Sequence, residues 1–216
     1  MVNKKYIFYL VSGLLVLAVL RVIELNAPVP AYGKLYTSLG KKHEEKGDTQ
    51  SALRSYQRAT YHNPGYREAY FHLGLLYAAL GNEQKKLENF RKVVELGPEW
   101  EKINAQTTHS DIKRDEPYGL ASYELGADAL YNGRVDTAID YLEKAQEYNG
   151  GLMNIYPKLG EAYLIKGEKG KAIEQYQTIL NRQYYDDLEK LRRIMERYGV
   201  KIRQERGVAY EWTGIQ

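Results

Sequence analysis

The chain of 216 residues contains no cysteine. Disulfides, thiolate metal sites, thiol nucleophiles and covalently attached c-type haem are therefore excluded. Histidine is scarce, and His43, His62, His72 and His109 lack metal-ligand spacing. Phenylalanine and tryptophan are few, at 3 and 2 residues. No excess of one charge is present: 31 Lys and Arg against 28 Asp and Glu leave +3, too mild to indicate nucleic acid. Opposite charges are interspersed, as on solvated helix faces. There is no glycine-rich phosphate loop and no carboxylate pair in an apolar setting. No metal or cofactor is expected, and with no constellation meeting active-site criteria the chain reads as a non-enzyme.

Against these shortages stand 21 tyrosines and a recurring phrase. Leu39-Gly40 is followed after six residues by Gly47. The phrase returns as Leu73-Gly74 with Gly81, Leu125-Gly126 with Gly133, and Leu159-Gly160 with Gly167. Gly40 to Gly74 and Gly126 to Gly160 are each 34 residues; Gly74 to Gly126 is 52, or 34 plus 18. A fixed period of this size means stacked supersecondary units. Tyr36, Tyr70, Ser122 and Tyr156 precede the pair. His43, Tyr77, Ala129 and Tyr163 follow it. Ala52, Lys86, Ala138 and Ala172 share one later register position; Tyr56, Phe90, Leu142 and Tyr176 share another. Lys86 departs from the small residue at its position, and Gly150 and Tyr184 stand where Pro64 and Pro98 close the earlier units.

This pattern resembles the tetratricopeptide repeat family. The resemblance covers residues 33–98 (units one and two) and 119–186 (units three and four). It implies an all-α solenoid of about four helix-turn-helix repeats. The Leu-Gly pair is expected where helices cross closely. Gly47 and Gly81 are expected to end the first helix of a unit in the left-handed region, with Asp48 and Asn82 capping the second. The resemblance further implies that the first helix of each unit lines a concave groove for a peptide or helix. In this register the groove is formed by Thr37, Lys41 and Glu44; Phe71, Leu75 and Ala78; Tyr123, Ala127 and Leu130; and Pro157, Glu161 and Leu164. Its middle is expected to be apolar, suiting an apolar partner segment. The alternative is that neighbouring helices fill these positions. The carboxylate-clamp subfamily has a lysine and an asparagine where Thr37 and Lys41 stand, so binding of acidic chaperone tails is not expected.

Residues 1–25 read as a single-pass transmembrane anchor. Tyr6 to Leu20 carries no charge, and Tyr6 to Ile23 would span roughly 27 Å as a helix, enough for a bilayer core. Lys4 and Lys5 favour a cytoplasmic N-terminus, which puts the repeats on the extracytoplasmic, periplasmic side of a bacterial-type inner membrane. A cleaved signal peptide with a site at Val29-Pro30-Ala31 is the competing reading. Residues 26–32 form a short proline-containing linker. Residues 99–118 are a polar insertion, read as a loop. Residues 187–199 form an amphipathic capping helix, with Leu188, Leu191, Ile194 and Met195 on one stripe and Gly199 as its C-cap. Residues 200–216 are an aromatic tail, a hairpin or extended arm with Tyr210 and Trp212 as partner anchors.

Together these features predict a membrane-anchored interaction scaffold, an accessory or assembly subunit of a membrane-associated complex, with protein partners. The second expectation is a periplasmic chaperone-like assembly factor binding a client chain, of the cytochrome-maturation or pilus-secretion type.

Overall fold

The computed structural model describes residues 31–99, 115–152, 154–183, 185–205 and 208–211. Nine helices occur among the described residues: α1 Ala31–Glu45, α2 Thr49–His62, α3 Arg67–Ala79, α4 Glu83–Glu95, α5 Glu116–Tyr131, α6 Val135–Asn149, α7 Ile155–Lys166, α8 Lys169–Asn181 and α9 Tyr185–Arg197. Two strands, β1 Ile202–Glu205 and β2 Val208–Glu211, pair antiparallel with Ile202 opposite Glu211 and Glu205 opposite Val208. The chain divides into two compact units, residues 1–69 and 70–216.

In the first unit α1 packs on α2. A Cβ on Gly40 would lie 2.6 Å from the Tyr56 ring, so glycine here lets the second helix seat its aromatic against bare backbone. The Tyr56 hydroxyl donates to Glu44. Burial first, then that carboxylate, push the Tyr56 phenol far above its ordinary value. Gly47 closes α1 at φ 72°. The Asp48 carboxylate then accepts from the Ser51 amide at 3.0 Å, satisfying one of the open N–H groups at the start of α2.

The second unit repeats this construction. Phe90 sits against Gly74 and Leu142 against Gly126. Gly160 differs: its nearest neighbour is Leu191 of α9, so the capping helix packs directly on the fourth Leu-Gly pair. Asn82 caps α4 as expected, accepting from the Lys85 amide at 3.0 Å. A core of Phe90, Val93, Ala121 and Leu125 joins α4 to α5. A larger one unites α5 to α9 around Leu142, Tyr156, Leu159, Ile179, Leu191 and Met195.

Several expectations need correction. The linker does not extend to residue 32, because α1 already includes Ala31 and Tyr32. The insertion ends sooner than residue 118: Asp115 caps α5, accepting from the Tyr118 amide at 3.1 Å, with Pro117 in the first turn where its missing N–H costs nothing. The other Asp115 oxygen accepts from the Glu99 amide at 2.8 Å, so one carboxylate holds both ends of the insertion together. The fold is all-α only up to Val200. The tail forms a hairpin, and Ile202 packs on the larger core, which supplies the support a lone hairpin lacks in water. Lys86, the exception to the small-residue rule, bridges Glu83 and, at 3.0 Å, Glu124 of α5. Burial would lower its pKa, but the two carboxylates outweigh this and leave it raised.

Among the described residues no helix is long and apolar enough to cross a membrane. The span expected at residues 6–23, linker residues 26–30, residues 100–114 of the insertion and Trp212 lie outside the described residues.

Candidate functional site

The first helices of the last two repeats and the capping helix enclose a cleft of about 290 Å³. Tyr123 from α5 forms one wall, Pro157, Lys158 and Glu161 from α7 the floor, and Lys190 and Ile194 from α9 the other wall. Asn154, just before α7, lies at its end. Each helix reaches the cleft through the same register position. Tyr123 to Pro157 is 34 residues and Pro157 to Lys190 is 33, so the period runs on into α9. The capping helix therefore behaves as a fifth first helix.

The cleft is polar at its rim. Lys190 pairs with Asp187 at 3.0 Å, and the Asp187 side chain is only 13% exposed. Burial, then the charges of Glu124 and Asp187, raise the Tyr123 phenol above its ordinary value, so it is a neutral hydroxyl available to donate. A wider depression of about 700 Å³ over Asp186, Glu189, Arg193 and Arg197 opens on the same Lys190 and Ile194. Among the described residues no cluster of ligating side chains could hold a metal ion.

The structure separates the expected groove residues. Tyr123, Pro157 and Glu161 meet in the cleft. Leu164, 5% exposed, belongs to the core instead, and Leu130 packs against it. Phe71 and Leu75 pack against the Phe90 cluster. Thr37, 2% exposed, donates its hydroxyl to the Gly33 carbonyl one turn back and is unavailable to a partner. Lys41 is exposed but engaged by Glu68 at 2.5 Å, and Glu44 holds Tyr56. Ala78 is exposed and Ala127 half-buried. The apolar middle of the groove is thus overturned: its large apolar members are drawn into the core, where burial is most favourable. Tyr210 lies in β2 opposite Arg203. Lys158, Lys190 and Ile194 were missed, although the continued 33-residue spacing could have found the last two.

Residues 37–99 and 123–186 match the family model described as tetratricopeptide repeat. The chain belongs to the tetratricopeptide repeat family. Proteins of this family are protein–protein interaction scaffolds, which is the coarse functional class of this chain. No curated protein matches it. Among solved structures it is similar to MamA, at 26% identity and TM-score 0.57 over 78% of this chain and 83% of that one. A second MamA structure matches at 26% identity and TM-score 0.53, over 74% and 84%. YrrB, a TPR protein with an unusual peptide-binding site, shares the fold at 16% identity and TM-score 0.53 over 82% of this chain and 89% of that one.

Proposed function

We propose that this tetratricopeptide repeat protein is a non-catalytic scaffold that docks an extended segment of a protein partner in the α5–α7–α9 cleft. The observation that carries the reading is the convergence of Tyr123, Glu161, Lys158 and Lys190 on one open groove whose walls repeat at the helix period. A neutral phenol, a carboxylate and two ammonium groups favour a polar segment of mixed charge. Such a lining suits a defined partner better than an unfolded client, whose exposed apolar side chains would need apolar walls. The apolar run at Tyr6–Ile23 supports a membrane anchor, with the repeats on the extracytoplasmic face and the partner a subunit of a membrane-associated complex. The peptide-binding site named for YrrB is consistent with this use of the fold.

The test is recovery of the full chain from gently solubilised membranes. A partner at constant ratio is expected with the wild type and is lost with the double substitution Tyr123→Ala, Glu161→Lys. Recovery of the wild type alone and monomeric overturns the proposal.

A further inference from the structure

The leucine of the repeated phrase is buried in three copies: Leu73 is 3% exposed, Leu125 4% and Leu159 0%. Leu125 is covered by Phe90 and Val93, and Leu159 by the core containing Leu142, in each case the second helix of the repeat before. In the first copy Leu39 is 39% exposed. Leu35 at 60% and Tyr32 at 45% continue the opening along the same stripe of α1, at spacings of three and four residues. Tyr61 at 53% extends it onto α2 through His62, whose ring lies 5.2 Å from Tyr61, 5.4 Å from Tyr32 and 5.3 Å, stacked, from Tyr36. This is the face on which a preceding repeat would stack, and it is open.

The chain preceding it bears on what covers it. Only seven residues, 24–30, separate Ile23 from the first residue of α1, a reach of at most about 25 Å. The run Tyr6–Ile23 lacks the two-faced pattern of a cap. The cap at the other end, α9, sets Leu191 and Met195 against Asp186, Glu189 and Arg193, whereas Tyr6–Leu20 is apolar on every side. It suits a bilayer core better than the open face. The face itself has the composition of an interfacial belt: tyrosines and a histidine with apolar bodies and polar tips, two leucines, and exposed Lys42 following along the stripe to snorkel outward.

We propose that the open face of the first repeat lies in the headgroup layer of the bilayer, which takes the place of the missing stacking repeat. This rests on the membrane-anchor reading. Because the chain has no cysteine, a single introduced one labels uniquely. Leu35→Cys and, as control, Tyr131→Cys (91% exposed, on α5) are each coupled to an environment-sensitive fluorophore in the full chain. The labelled chains are reconstituted in vesicles of phosphatidylethanolamine and phosphatidylglycerol, with a nitroxide on a fraction of the lipid headgroups. The expected result is co-flotation of both chains with the vesicles, with quenching by the lipid nitroxide severalfold stronger at position 35 than at 131. Co-flotation with position 35 as water-exposed as 131 overturns the inference and leaves the anchor standing. So does shielding at 35 without lipid quenching, which would assign the face to a protein or a second copy. Failure to float overturns the anchor, and the inference with it.

Discussion

At the residue scale the repeated glycines do two different jobs. Gly40 provides room, and its replacement by alanine drives a methyl into the Tyr56 ring; Gly40→Ala is expected to cost about 1–3 kcal/mol in urea denaturation. Gly47 has open space around it but φ of 72°, so Gly47→Ala should cost about 1 kcal/mol from backbone strain alone. Ser122 stands where three other copies carry tyrosine, is fully buried, and its hydroxyl has no partner among the described residues. Ser122→Ala removes a desolvated hydroxyl and is expected to leave stability unchanged or raise it by up to about 1 kcal/mol, read as a higher denaturation midpoint. None of this contrast shows in the repeated letters, since the same glycine is written for space and for handedness.

At the element scale, α9 combines two roles. It caps the core through Leu191, and it presents Lys190 and Ile194 to the cleft. Leu191→Ala opens a cavity beside Gly160 and is expected to cost about 2–5 kcal/mol. Hydrogen exchange should then quicken in α7 and α8 before α4, because stacked repeats are stabilised by their neighbours. The exposed face of α9 also titrates. Hydrogen bonds from Arg192 and Arg193 hold the Glu189 carboxyl down to about 2, from an ordinary value of 4.5. Its folded pKa is depressed, so its contribution is complete above 4.5 and is lost as pH falls towards 2. The melting temperature of Glu189→Gln should therefore fall less than that of the wild type across this window, and the difference should shrink in high salt because the group is at the surface. Between α4 and α5, a double-mutant cycle on Lys86 and Glu124 should return a coupling of about 0.5–1 kcal/mol, whereas a lysine without a bridge would return none.

At the scale of the whole molecule, the ends and the interruption carry what distinguishes this chain from other repeat arrays. Opposite ends are finished differently: α9 and the hairpin close one with a two-faced cap, and the other shows Tyr32, Leu35 and Leu39 uncovered. The insertion between the second and third repeats begins and ends at one carboxylate. Asp115→Ala releases both the Glu99 and Tyr118 amides and is expected to cost about 1–3 kcal/mol, with faster proteolysis between residues 99 and 115 than in the wild type. The same 34-residue period that identifies the family also runs into α9, which makes the cleft a product of the array rather than of one repeat.

Sequence alone determined the helical repeat, its register, the turn glycines and the caps at Asp48 and Asn82, because each depends on local backbone geometry and a spacing that neighbours do not alter. Only tertiary structure decided which groove positions remain exposed. Leu164 and Glu161 are three residues apart on α7, yet one is core and the other cleft. That division depends on where α9 and α6 press on α7, and packing across elements, unlike a period, is not written in any single stretch of chain.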